Sequence, residues 1–227
     1  TDKPGEKKDR LVGTGTIRKI HNLLRSCFHQ ATLAAILNFG LYPQGYFPQL
    51  AITAIVVPGK EIGDASQMGE RFLDNKRIEG TLPEMLAEAL TFCKRNMKAR
   101  TIIDPNTGER ADRTEYPIEA VREAVLNALI HRDYSQFTEG TPIQIDFFED
   151  RLEIHSPGGL YGRMTVEDLG KARPDLRNPA LATMSEFLLK TGNRYSGIPI
   201  IEKELSEYLF DFDKYPRSEE RRVGKEC

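Results

Sequence analysis

The stretch from Ile118 to Arg132 constrains the fold most, because its two faces differ in polarity. Pro117 precedes it, at a position where proline favours a helix start. Glu123, Asn127 and His131 lie four residues apart and form one polar stripe. The pattern therefore predicts an amphipathic helix with one side in a core and the other facing a site or a loop. The apolar stripe consists of Ile118, Val121, Val125 and Leu129.

Asn127 needs an explanation, because the amide of asparagine competes with the backbone inside helices. One interpretation is a side-chain hydrogen bond to a neighbouring loop or strand. The other is a metal-phosphate site, since an amide oxygen is a hard ligand that suits Mg²⁺. Glu123, one turn earlier, would then orient and deprotonate an attacking water. The residues alone leave both interpretations open.

The rest of the chain predicts helices that alternate with short strands and a hairpin, which is typical of a two-layer α+β domain. A loop is expected at 41–50 and a turn at 104–108. The predicted elements are a helix at 31–39 ending at Gly40, a strand at 51–59, a strand near 71–74, helices at 81–100 and 118–132, a hairpin at 142–148 and 151–155, a helical turn at 165–168, and helices at 179–190 and 199–210.

Composition excludes several classes of protein. The formal net charge of -2, from 32 basic and 34 acidic residues, argues against a globally basic nucleic-acid binder. Three widely spaced cysteines predict neither a disulfide framework nor a zinc site, and they fit a reducing cytoplasm. No apolar run reaches the length of a membrane span, so we expect a cytoplasmic protein without membrane contact.

Several motifs occur in an order that resembles a known family. With Glu-x-x-x-Asn on a helix and a glycine-bearing loop after a strand, the chain is similar to the Bergerat (GHKL) nucleotide fold of gyrases and histidine kinases. More closely, it resembles the RecG C-terminal-like, AlbA/Schlafen-type transcriptional regulators over roughly residues 30–210. The motifs are ILNFGLYPQGYFPQLAI (36–52), YPIEAVREAVLNALIHRDYS (116–135), IQIDFFEDRLEIHSPGGL (143–160), ARPDLRNPALA (172–182) and SGI (196–198).

This resemblance implies an ATP-binding regulatory module with Mg²⁺ as a cofactor and DNA as a partner of other domains. Glu123 would be the general base and Asn127 the magnesium ligand. The remaining residues implied to bind the nucleotide are His131, Arg132 and Asp133 at the helix end, Ser156, Gly158 and Gly159 in the first glycine box, Asn178 in the Arg-Asn-Pro motif, and Gly197 in the second glycine box.

Two departures from the nucleotide fold leave an alternative open. The strand before the first glycine box ends in His155-Ser156-Pro157, where the fold has an aspartate that reads the adenine amino group. Serine is a weaker acceptor than a carboxylate. The second box holds one glycine and is followed by Pro199, which lacks a donor. The alternative is therefore a degenerate scaffold or dimerisation domain without nucleotide, and any ATPase activity is expected to be weak.

The resemblance also predicts the domain organisation. Residues 1–29 would be a linker and the end of a preceding AlbA-like region, 30–210 the nucleotide-fold domain, and 211–216 the start of a linker. Residues 217–227 (RSEERRVGKEC) resemble the translation of a sequencing-library adapter, so we expect a non-native tail.

Two further patterns bear on nucleic acid. Helicase activity is not expected, because Gly13 to Thr16 lacks the lysine and spacing of a phosphate-binding loop. Four cations crowd the end of the helix predicted at 81–100. They complement the helix dipole or, alternatively, contact a phosphate backbone. These cations are Lys94, Arg95, Lys98 and Arg100.

Overall fold

The structure is a computed structural model that describes Lys19 and residues 32–103, 108, 110–171, 175–189 and 197–213. Within these residues five α-helices and six β-strands follow one another. The helices are α1 (32–39), α2 (Leu82–Asn96), α3 (Ile118–His131), α4 (Pro179–Leu189) and α5 (Gly197–Asp213). The strands are β1 (Ile52–Val56), β2 (Asp74–Ile78), β3 (Ala99–Ile103), β4 (Arg110–Thr114), β5 (Ile143–Phe147) and β6 (Leu152–His155), with 3₁₀ turns at Pro43–Gly45 and Val166–Asp168.

Four strands form one mixed sheet in the order β2-β1-β5-β6. The pairs β1–β2 and β5–β6 are antiparallel, whereas β1 and β5 are parallel with Ile52 opposite Ile143. The parallel pair requires a crossover, which α2, the β3–β4 hairpin and α3 supply. This arrangement confirms the predicted two-layer α+β class.

The core lies between the sheet and the helices that cover one of its faces. Ile143 and Ile145 are at most 1% exposed while Gln144 between them is exposed, as the alternation of side chains along a strand requires. Phe92 of α2 packs near Phe147, with ring centroids 6.2 Å apart. Burial of such side chains on one face of the sheet is the main stabilising term of the fold.

Local sequence signals placed most elements correctly. Glu84 accepts a hydrogen bond from the backbone N–H of Thr81 at 2.7 Å, which completes a capping box at the start of α2. Gly40 follows α1, and its N–H donates to the carbonyl of Ile36 at 2.8 Å. The predicted 151–155 hairpin strand pairs with β5 as expected.

The prediction was wrong at the end of α2, which stops at Asn96 and not at Arg100. Met97 is buried, which is why it fitted the helical period, but its backbone is extended. The side chain of Asn96 donates to Asp74 of β2 at 2.9 Å and holds the turn there. Lys98 and Arg100 therefore lie beyond the helix, so the dipole interpretation does not apply to them.

Three other boundaries differ from the prediction. The second strand runs over Asp74–Ile78 instead of lying near 71–74. The β3–β4 hairpin was not predicted, and residues 104–107 of the expected turn lie outside the described residues. Helix α5 continues to Asp213. Apart from Lys19, the predicted segments 1–29 and 217–227 also lie outside the described residues.

Candidate functional site

Helix α3 carries the predicted polar stripe on a well-anchored scaffold. Val125 and Leu129 on its apolar side are 0% and 1% exposed, which fixes the rotation of the helix about its axis. The opposite side therefore presents Glu123, Asn127 and His131 away from this part of the core.

Asn127 lies against the first residue of α5. A Cβ atom added to Gly197 would sit 2.6 Å from Nδ2 and 2.7 Å from Oδ1 of Asn127, closer than real Cβ contacts allow. Helix α5 packs along α3 from this point. The fold thus joins two motifs that are 70 positions apart in the chain, and a larger residue at position 197 would force the Asn127 amide to shift.

Glu123 is largely buried on the same face. Its carboxylate forms an ion pair with Arg122 at 2.6 Å, and its side chain is 13% exposed. Burial raises the pKa of Glu123 above its usual range, and the Arg122 guanidinium opposes this effect. A carboxylate with a raised pKa binds a proton more strongly than an ordinary one, which makes it a better general base.

His131 ends the stripe in a more enclosed position. Burial lowers the pKa of His131, and the positive charge of Arg177 lowers it further. The imidazole is therefore neutral at physiological pH, with one nitrogen as donor and the other as acceptor.

Arg132 is buried and serves the backbone. It is 1% exposed, and its Nη2 donates to the carbonyls of Thr138 at 3.0 Å and Thr141 at 2.6 Å. Nη1 reaches the carbonyl of Gln49 at 3.5 Å, and the guanidinium lies 5.4 Å from the ring centre of Tyr134. These contacts fix the loop after α3 and give Arg132 a structural role. The nucleotide contact expected of Arg132 stays a prediction.

Asn178 likewise binds backbone groups. Its amide donates to the carbonyls of Ile130 at 2.8 Å and Arg132 at 2.7 Å. The last carbonyls of a helix have no intrahelical partner, so this amide satisfies the end of α3. Its side chain acts as a cap for α3.

Asp133 and Ser156 connect α3 to the loop that follows β6. The N–H of Asp133 donates to the carbonyl of Pro157 at 2.8 Å, and its carboxylate accepts from the N–H of Ser135 at 2.9 Å. The hydroxyl of Ser156 donates to the carbonyl of Ala128 at 2.9 Å. The first glycine box therefore lies directly against the end of the polar stripe.

The two glycines of this box have different surroundings. Gly158 has φ of +105°, and a Cβ added to it would overlap Nη1 of Arg177 and lie 2.6 Å from Cβ of Asp133. Gly159 has open space around it, and its carbonyl accepts from Nη2 of Arg177 at 2.8 Å. Gly158 is therefore required by packing, whereas Gly159 leaves room beside the loop.

Sequence reasoning missed Arg177. It precedes Asn178, and its guanidinium lies 3.8 Å from the carboxylate of Asp133 and 5.2 Å from the ring centre of Tyr161. The signal for it in the sequence is its place in the Arg-Asn-Pro motif, next to Asn178. No spacing rule connects a residue at 177 with the end of a helix at 131.

The predicted residues fall into two groups. Glu123, Asn127 and His131 lie along the polar stripe of α3, with Gly197 of α5 against Asn127. The second group lies at the end of α3, where Gly159 of the first glycine box accepts a hydrogen bond from Arg177. Arg132, Asp133, Ser156, Gly158 and Asn178 hold the loops at the end of α3 together. The assignment of these residues to a nucleotide remains a prediction.

The donor set is compatible with a nucleotide and magnesium. Mg²⁺ prefers oxygen ligands and takes several of them from phosphates and waters, so the Asn127 amide oxygen can serve as one protein ligand. Among the described residues no group of three or more histidine, cysteine, aspartate or glutamate side chains is arranged to hold a metal. Nor does any described helix have the length and apolar character needed to cross a membrane.

Comparison with known proteins supports the nucleotide-fold resemblance in part. Residues 140–222 match the family described as "Putative ATP-dependent DNA helicase recG C-terminal". The DIP2311 protein from Corynebacterium diphtheriae has a similar fold, with a TM-score of 0.54 and 23% identity. The match covers 74% of this chain and 38% of that one. No protein with a curated description matches the sequence significantly.

These findings confirm part of the predicted resemblance. The match to the RecG C-terminal family covers the hairpin, the first glycine box, the Arg-Asn-Pro motif and the second glycine box. The solved structure supports the fold class alone, since its identity to this chain is low. The AlbA/Schlafen assignment stays a prediction.

Proposed function

We propose that this domain is a nucleotide-sensing module of a DNA-associated regulator, with ATP and Mg²⁺ bound on the Glu123 and Asn127 face of α3. The observation that supports it best is the contact between Asn127 and Gly197. It brings an amide oxygen suited to Mg²⁺ to the start of a helix, where backbone N–H groups favour anions.

In this proposal Asn127 holds the magnesium ion, which neutralises phosphate charge when bound. Glu123 accepts a proton from water, and its raised pKa suits that role. Its ion pair with Arg122 must loosen before the carboxylate can act, so we expect slow turnover and a response to binding more than to hydrolysis. The family description supports the nucleotide, but no motif supports a helicase motor.

The wider biology follows the AlbA/Schlafen resemblance. DNA would be bound by domains outside this sequence, and the protein would act as a cytoplasmic transcriptional regulator. The near-neutral charge of the chain is consistent with DNA binding elsewhere. Nanomolar DNA affinity of this chain at physiological salt would contradict that division of labour.

A second candidate function is a scaffold or dimerisation domain without nucleotide. One observation favours it. Ser156 stands where the nucleotide fold has an aspartate, and its hydroxyl proton is already donated to Ala128. The remaining lone pairs of this hydroxyl form a weaker acceptor than a carboxylate.

Isothermal titration of the chain with ATP and Mg²⁺ separates the two candidates. We expect wild type to release or absorb heat below millimolar nucleotide, and Asn127→Ala to weaken binding about tenfold because a metal ligand is lost. Asn75→Ala, at an exposed position of β2, is the control and should bind as wild type. Absence of heat from wild type would exclude nucleotide sensing. Equal binding by wild type and Asn127→Ala would show that the assigned site is wrong.

A further inference from the structure

Arg177 is a largely buried cation with few partners. Its side chain is 14% exposed. Within the described part of the chain it makes one hydrogen bond, from Nη2 to Gly159 at 2.8 Å. Its Nη1 is buried and has no hydrogen-bond partner among the described residues. Buried polar groups are nearly always hydrogen-bonded, so an under-used guanidinium calls for an explanation.

Open space for an anion lies beside Arg177 at Gly159, whereas Nη1 is sealed from solvent and reaches an anion only when the Arg177 side chain shifts. Asp133 lies 3.8 Å away, which offsets part of the charge without a hydrogen bond, and this carboxylate already accepts from Ser135. The ring of Tyr161 covers the guanidinium at 5.2 Å and offers no acceptor oxygen in that contact. Gly159, beside it, is in open space.

Arg177 also borders the predicted site. It lies over Gly158 of the first glycine box, and its charge acts on His131, one turn beyond Asn127 on the polar stripe. Because the imidazole of His131 is neutral, it does not offer an anion a second positive charge beside Arg177. A guanidinium is the side chain best suited to bind phosphate oxygens, because its N–H groups form a planar fork.

We propose that Arg177 is a phosphate-binding residue of this domain and that a nucleoside polyphosphate supplies the oxygen atoms its N–H groups lack. This inference rests on the proposed nucleotide function. It adds that Arg177 recognises phosphate oxygens, whether they belong to a nucleotide or to a free polyphosphate.

The test is titration calorimetry of the full chain with three probes: MgATP, magnesium pyrophosphate and adenosine. Arg177→Gln should weaken MgATP and pyrophosphate about tenfold or more, since hydrogen bonds to charged groups are the stronger class, and leave any adenosine binding unchanged. Arg177→Lys should recover part of the affinity because it keeps the charge. Arg163→Gln, an arginine before the 3₁₀ turn at Val166–Asp168 whose side chain is 96% exposed, is the matched control and should bind as wild type.

The outcomes separate this inference from the proposed function. Arginine-dependent pyrophosphate binding without any preference for MgATP supports phosphate recognition and contradicts nucleotide sensing. MgATP binding that is the same in Arg177→Gln as in wild type overturns the inference and leaves the nucleotide function standing. If neither phosphate probe binds to wild type, both are overturned.

A second variant guards against misfolding of Arg177→Gln. Asp133→Asn removes the carboxylate 3.8 Å from the guanidinium, while the amide oxygen can still accept from Ser135. If Arg177 binds phosphate, this variant should bind pyrophosphate more tightly, about threefold or more, because a competing charge is gone. A purely structural Arg177–Asp133 pair predicts the opposite sign, and weaker binding would contradict the inference.

Discussion

Two arginines are buried at the end of α3, and they differ in how their N–H groups are used. Arg132 donates to four backbone carbonyls, those of Gln49, Asp133, Thr138 and Thr141. Arg177 donates only to Gly159, and its Nη1 has no hydrogen-bond partner in the described part of the chain. Burial alone therefore does not define the role of a cation; the number of acceptors around it does.

The same contrast separates the two groups of predicted site residues. Those at the loop junction, such as Asn178 and Ser156, have their hydrogen-bonding protons donated to backbone carbonyls. The residues on the polar stripe of α3 differ from these. The pKa of Glu123 is raised, and Asn127 packs tightly against Gly197. A site that must bind something is expected to be less satisfied in its free state than a structural junction.

The largest effect should come from Arg132→Ala. This variant removes the hydrogen bonds of a buried guanidinium to the carbonyls of Thr138 and Thr141, and each hydrogen bond to a charged group contributes about 1.5–3 kcal/mol, so we expect a loss of about 4 kcal/mol. Arg177→Gln loses one hydrogen bond and should cost about 1 kcal/mol. Urea unfolding followed by circular dichroism measures both.

The comparison fails if the two arginine variants are equally destabilised. A loss of less than about 1 kcal/mol in Arg132→Ala would mean that its carbonyl partners find water on mutation. Arg122→Ala, whose guanidinium is partly exposed, is a control for the loss of an arginine as such.

An intermediate effect is expected at the first glycine box. Gly158→Ala should destabilise the protein by about 2 kcal/mol, because φ is +105° and the new methyl overlaps Arg177. Gly159→Ala should change stability by less than about 0.5 kcal/mol, since its surroundings are open. Thermal unfolding of the pair tests this, and equal losses would contradict the packing described for Gly158.

The smallest effect concerns pH. The folded pKa of His131 is lowered, so its contribution to stability is complete above the unfolded value of about 6.5 and is lost as pH falls below that value. Wild type should therefore lose more stability between pH 7 and 5 than His131→Gln does. Parallel urea titrations at several pH values measure the difference. Identical pH profiles would show that His131 is equally solvated in both states.

Local sequence determined much of the fold. The helix start at 81, the glycine after α1 and the hairpin of β5 and β6 each depend on a few neighbouring residues, and each was predicted correctly. The end of α2 was predicted wrongly, because the buried Met97 fits the helical period although its backbone is extended. The β3–β4 hairpin lacked strong apolar alternation, so periodicity gave no signal for it.

The candidate site divides in the same way. The polar stripe of Glu123, Asn127 and His131 follows from helical geometry and needed no tertiary information. The approach of Gly197 to Asn127 and the position of Arg177 beside Asp133 depend on how distant segments cross. Hydrogen-bond saturation is a property of the folded neighbourhood, so only the tertiary structure could distinguish Arg132, whose acceptors are all in place, from Arg177, whose acceptors are not.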